Sequence, residues 1–152
     1  MNKKNVDIIE KTKLLGTVIT NDLKWEENTL LLVKKAYARM QLLRKCTTFT
    51  NDKDELKNIY ILFIRSILEQ SCVVWNSSLT QEDSNNLERV HKSAVKVIQN
   101  NEFEEYEQGL QNLNLQTLHE RRITLCENFV LQSISHEILI TMFPKNEKRN
   151  KP

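Results

Sequence analysis

Residues that break regular structure are almost missing from this chain: its 152 residues hold two glycines and two prolines, and one proline is the last residue. With glycine only at Gly16 and Gly109, no glycine-rich loop exists to cradle a phosphate. So few breakers, together with abundant Leu, Lys, Glu and Gln, argue for an all-α protein and against a sheet-rich one. Cysteine is sparse too. Cys46, Cys72 and Cys126 are odd in number and far apart, with no CxxC pair and no clustered histidines. That excludes a recognisable zinc site or disulfide framework and suits a reducing compartment. No apolar run approaches the roughly 20 residues of a membrane span, and Met1 to Lys13 is too polar for a signal peptide. An intracellular protein, nuclear or cytoplasmic and without a membrane partner, is expected, and the sequon Asn76-Ser77-Ser78 then carries no sugar.

Charge is present in quantity and unevenly placed. The net charge is only +2, yet residues 1–49 carry ten Lys/Arg against five Asp/Glu, while residues 80–116 carry three against seven. A basic front end is compatible with a polyanionic partner.

Periodicity predicts about four to five helices, preceded by one short strand. Leu14 to Thr20 is apolar and rich in β-branched residues and ends at the turn signal Asn21-Asp22. No other stretch offers it a partner, so the sequence presents a strand lacking its sheet. The first helix is expected from about Lys24 to Cys46, with Glu26 and Glu27 in its first turn and Arg44 and Lys45 in its last, as the helix dipole favours. Val33, Ala36, Met40 and Leu43 make its apolar stripe, widened by Leu30 and Tyr37. Lys34, Lys35 and Arg39 lie off that stripe, as a solvated flank or as phosphate contacts. Asn51, Asp52 and Asp54 offer caps for a second helix reaching about Ser71. Its stripe runs through Leu56, Ile59, Tyr60, Phe63, Ile64, Ile67 and Leu68, with Ile61 and Leu62 outside it, which marks this helix as the candidate centre of the core. Thr80 with Asp83 opens a third helix over about Gln81 to Gln99, where Leu87, Val90, Ala94, Val97 and Ile98 face inward and Arg89, Lys92 and Lys96 form a basic stripe. An acidic segment around Phe103 and Tyr106 leads through Gly109 to a capping box, Thr117 with Glu120. A last helix then continues to about Ile140 through Leu118, Leu125, Phe129 and Ile138. The expected organisation is a polar segment over 1–12, a helical region over 13–140 and a disordered basic tail over 141–152.

No catalytic constellation is visible. His91, His119 and His136 are scattered as surface histidines would be, and no motif joins one to a nucleophile. The carboxylates between Glu102 and Glu107 are too many and too local for an acid–base pair. Two-metal nucleotidyl transfer needs inward-facing aspartates on adjacent strands, and the one candidate strand carries none. The residues point to no catalytic group, no metal and no cofactor.

The segment LLGTVITNDLKWEENTLLLVKKAYARMQLLRKC resembles the region just after the polymerase palm in reverse transcriptases of non-LTR retrotransposons, the jockey-like group. Leu15-Gly16, Leu23, Trp25, Lys35-Ala36 and Leu43-Arg44 carry the likeness. In IYILFIRSILEQSCVVWNSSLT, Tyr60, Arg65, Leu68, Glu69, Val74 and Trp75 match a second family block. LERVHKSAVKVI resembles a third through Leu87, Glu88, Arg89, Val90, Ala94 and Ile98, and LNLQTLHERR, ending in Arg121 and Arg122, a fourth. Four blocks in the right order cover about residues 13 to 135. Ser66, Gln70, Thr20 and Lys92-Ser93 depart from the family pattern, as in a diverged copy. The resemblance implies a thumb and following region that grips an RNA or RNA–DNA duplex through its phosphates, without base reading and without polymerising alone, because the palm and its paired aspartates are missing from these residues. Lys34, Lys35, Arg39, Arg44 and Lys45 are the first candidates for that contact, and Arg89, Lys92 and Lys96 the second. Arg121 and Arg122 fit helix-start structure equally well. The rival expectations are a helical protein-interaction remnant and a truncated relic with no activity of its own.

Overall fold

A computed structural model of the chain describes residues 9–142. It is an all-α bundle preceded by a small hairpin. Strands β1 (Lys11–Leu14) and β2 (Thr17–Thr20) pair antiparallel, with Lys11 opposite Thr20 and Leu14 opposite Thr17. The single strand expected over Leu14–Thr20 is thus cut by a turn: Leu14 ends β1, only Thr17–Thr20 forms β2, and the missing partner lies largely in the residues before it. The two turn residues, Leu15 and Gly16, both have positive φ, 48° and 87°. That is the backbone of a two-residue hairpin turn whose twist matches the flanking strands. Asn-Gly or Asp-Gly is the usual signal there, and leucine in the first place conceals it.

The hairpin docks on the helices through its backbone and through Ile19, which packs half-buried against the core. Val18 N donates to Asn28 Oδ1 at 3.1 Å, and Gln70 Nε2 donates to the Leu15 carbonyl at 3.1 Å. Lys11 and Glu27 form an exposed ion pair at 3.0 Å.

Helix α1 spans Glu26–Cys46, α2 Lys53–Tyr60 and α3 Ser66–Leu68. The last two are joined without interruption by a π-helical turn, Ile61–Arg65. Asp52 caps α2 by accepting from the backbone N–H groups of Asp54 and Glu55. The buried side of this segment is Leu56, Tyr60, Ile64 and Leu68, a strict four-residue repeat. In an α-helix that repeat drifts about 40° per step, and the wider π turn takes up part of the drift. Phe63, expected inside, is left on the surface with Leu62.

Then come α4 (Cys72–Trp75), α5 (Gln81–Gln99), α6 (Tyr106–Leu113) and α7 (Leu118–Ser135). Thr80 caps α5, and Thr117 with Glu120 closes a reciprocal capping box at the start of α7. The last helix ends at Ser135, short of the expected Ile140, and a 3-10 turn follows over Leu139–Met142. The tail from residue 143 and the first eight residues lie outside the described part.

The hub of the core is α5, rather than the second helix. It packs against α1, α2, α6 and α7 and buries Leu87, Val90, Ala94, Val95 and Ile98. Helix α6 begins at the end of the acidic segment, with only Glu107 of its carboxylates inside the helix. It approaches α5 so closely that a Cβ on Gly109 would sit 2.8 Å from Val95 Cγ1. Its Gly109 carbonyl accepts from the buried amide of Gln99 at 3.2 Å. The stripe of α1 is Leu32, Ala36, Met40 and Leu43, while Leu30 and Tyr37 are exposed and Val33 is half-buried. No helix among the described residues is long and apolar enough to cross a membrane.

Candidate nucleic-acid interface

The cations of α1 are on the surface. Lys34, Arg39, Arg44 and Lys45 are exposed and Lys35 is half-buried. Among the described residues, none of the five has a carboxylate within ion-pair distance. They do not form one patch. At about 100° per residue, Lys34 and Lys45 share one side of the helix, while Lys35 and Arg39 lie roughly 80–140° further round, beside the buried face. A rod-like polyanion along α1 meets one group or the other.

The α5 candidates differ. Lys92 Nζ lies 5.6 Å from the centre of the Tyr106 ring and Lys96 Nζ 5.9 Å from that of Phe103. Lys92 also lines a surface recess with Glu104, Glu105 and Glu107. Cation–π contact and neighbouring carboxylates already occupy this part of the stripe. Arg89 is exposed and holds only the Asn86 side chain, at 3.0 Å.

The residues that carry the likeness in the later blocks converge elsewhere, in a polar centre between α3, α5 and α7. Arg65 and Arg121 both place Nε on the same oxygen of Glu69, at 3.4 and 3.1 Å. Glu88 accepts from the backbone N–H groups of Leu118 and His119, at 3.0 and 3.1 Å, and from the Tyr106 hydroxyl. A carboxylate thus sits on the positive end of α7. Arg122 is wholly buried, donating to Asn76 Oδ1 and Ser84 Oγ, both at 2.9 Å, while its Nη1 has no partner. Burial pulls its pKa down, and the Glu88 charge opposes that shift. The two neighbouring arginines therefore differ: Arg121 makes a half-exposed ion pair with Glu69, while Arg122 is a core side chain.

His91 is no surface histidine. It is buried at the same centre, stacked on Tyr60 with ring centroids 5.3 Å apart and edge-on to Tyr106 at 5.9 Å. Burial lowers the pKa of His91 and raises those of Tyr60 and Tyr106 above the ordinary tyrosine value. A sequence signal for this centre does exist. His91 falls on the apolar stripe of α5, four residues after Leu87, and Arg122 falls four residues after Leu118. A polar residue on a buried face announces a partner.

Beside this centre lies a cavity of about 280 Å³ lined by Arg65, His91, Asn114, Gln116, Leu118 and Arg121 among others. Among the described residues, no group of three His, Cys, Asp or Glu side chains is placed to hold a metal. Comparison with protein families, characterised proteins and solved structures finds no match.

Proposed function

We propose that this chain corresponds to the helical region following the palm of a non-LTR retrotransposon reverse transcriptase, and that it holds an RNA–DNA duplex by its phosphates without catalysing a reaction. The observation that supports this reading is the meeting of distant blocks. Arg65 and Glu69 come from the second block, Glu88 from the third, Arg121 and Arg122 from the fourth, and all stand in one polar centre. Residues more than 50 positions apart that depend on one another structurally make the ordered set more specific than its single blocks. The nucleic-acid role belongs to α1, whose cations have no carboxylate within ion-pair distance among the described residues. A non-sequence-specific grip needs only such free charges.

Fluorescence anisotropy with an RNA–DNA hybrid tests the role. Binding should weaken as salt rises, and reversing Lys34, Lys35 and Arg39 to glutamate should abolish it. Absence of binding at low ionic strength, or binding indifferent to salt, overturns the reading.

A second reading is favoured by one observation: Phe129, Val130, Leu131 and Ile134 leave the second half of α7 apolar and exposed. In that reading the chain is a helical protein-interaction module. The same charge reversal separates the two, because a partner held on apolar surface tolerates it.

A further inference from the structure

The geometry points to a second site, independent of α1: the cavity on Arg65 and Arg121 binds a phosphate group. Arg65 closes the π-helical turn, and Arg121 belongs to the first turns of α7. Their Nε atoms lean on one oxygen, Glu69 Oε1, so a single carboxylate neutralises two guanidiniums. At 3.4 Å the Arg65 contact is an ion pair without a hydrogen bond, and its buried Nε stays unpartnered. The four terminal nitrogens of the pair have no hydrogen-bond partner among the described residues, and both arginines line the cavity.

Glu69 is the one carboxylate in contact with the pair among the described residues. No carboxylate lines the cavity among the described residues. Glu88, the nearest alternative, is engaged by two backbone N–H groups and a tyrosine hydroxyl. At the cavity the two guanidiniums of Arg65 and Arg121 share the single carboxylate of Glu69, and burial lowers the pKa of His91 so that the ring adds no charge.

The ligand class follows from the donors. Paired guanidiniums suit bidentate capture of an oxyanion. A carboxylate brings two oxygens, whereas a terminal phosphate brings three to four free nitrogens. At about 280 Å³ the cavity lies at the small end of ligand sites, roughly 300–1,000 Å³, and it admits a phosphate group rather than the flank of a duplex.

The test is a 1H–15N titration of the full chain with inorganic phosphate, with acetate as the control anion. Saturable shifts are expected at the Gln116 and Leu118 amides with phosphate. Arg121→Gln should weaken binding by at least about tenfold, the loss expected for a charge-assisted hydrogen bond. The Lys34→Glu/Lys35→Glu/Arg39→Glu variant should bind phosphate like the parent, so failure of this site and failure of the α1 reading are distinguishable. A 5′-phosphorylated oligonucleotide that competes below the concentration of inorganic phosphate identifies a strand end as the source of the group; one that does not identifies free phosphate. Shifts absent up to millimolar phosphate, equal with acetate, or unchanged in Arg121→Gln overturn the proposal.

Discussion

Tyr60 donates its buried hydroxyl to His91 Nδ1, and the Gln116 carbonyl, 3.1 Å from Nε2, fixes the direction of that bond. A carbonyl only accepts, so Nε2 carries a proton. Burial, beside Arg65 and Arg122 and against the opposing charge of Glu88, lowers the pKa of the ring and keeps it neutral, which leaves Nδ1 bare to accept from Tyr60.

The consequence for stability has a definite sign. A histidine whose folded pKa is below its unfolded value of about 6.5 leaves the unfolded chain to bind the extra proton. Its contribution is complete above about pH 6.5 and is lost as pH falls below it, by up to ~1.4 kcal/mol per pH unit. Urea unfolding at pH 7.5 and 5.5 should show the loss, and His91→Gln should flatten it. Equal pH dependence in the two proteins would rule the buried neutral ring out. Tyr60→Phe strips Nδ1 of its donor and should cost ~1–3 kcal/mol at pH 7.5.

Adjacent arginines should behave very differently. Arg121→Ala removes a contact whose side chain is 35% exposed, and solvent screening holds the loss below about 1 kcal/mol. Arg122→Ala opens a cavity and leaves Asn76 and Ser84 unpaired, which should cost ~2–4 kcal/mol. Arg122→Lys should not recover that loss, because one ammonium cannot span two partners as the fork does. Thermal melts of the three variants decide it, and similar melting points for Arg121→Ala and Arg122→Ala would contradict the assignment.

Much of this architecture was legible where local chemistry is self-contained. Thr117 and Glu120 satisfy each other's backbone, and Asp52 caps α2 within three residues, so sequence alone located those ends. The limits of α5 followed from its period for the same reason. Where selection is made by distant partners, the reading slipped. Leu30 to Val33 is an unbroken apolar run, and only the elements packed on α1 choose Leu32 over Leu30 as the buried member. Phe63 is placed outside by a π turn that no three-to-four-residue period anticipates. The polar centre also draws on Arg65, Glu69 and Glu88, and a charge off the apolar stripe does not declare which way it points. The cavity on Arg65 and Arg121 was invisible for that reason.

Cys72 should be the slowest thiol in the folded protein. Burial, reinforced by the neighbouring Cys126 and Glu69, pushes its pKa up to about 11. At pH 8 that leaves roughly one thiolate in a thousand, against about one in four for an ordinary cysteine. Alkylation followed by peptide mapping should label Cys46, which is half-buried, well before Cys72, with the two converging in urea. Native labelling of Cys72 at the rate of Cys46 would mean that α4 opens readily from α7.

The hairpin turn is the place where sequence and backbone disagree most. Leu15 is 89% exposed and holds φ at 48°, a left-handed conformation that costs a residue with Cβ roughly 1–2 kcal/mol. Asparagine tolerates it far better and would create the Asn-Gly pair that two-residue turns prefer. Leu15→Asn should therefore stabilise the chain by ~0.5–1 kcal/mol while keeping the carbonyl that Gln70 reaches. Gly16→Ala should act in the opposite direction, because φ is 87° and the new Cβ would stand 2.3 Å from Gln70 Nε2. Deleting Met1 to Thr20 should leave the helical circular dichroism largely intact, since the hairpin adds only the half-buried Ile19 to the apolar core. It should nevertheless lower the urea midpoint, because Asn28, almost fully buried, loses the Val18 N–H. If Leu15→Asn left the midpoint unchanged while the deletion also had no effect, the hairpin would contribute nothing to the fold, and its hydrogen bonds to Asn28 and Gln70 would be incidental.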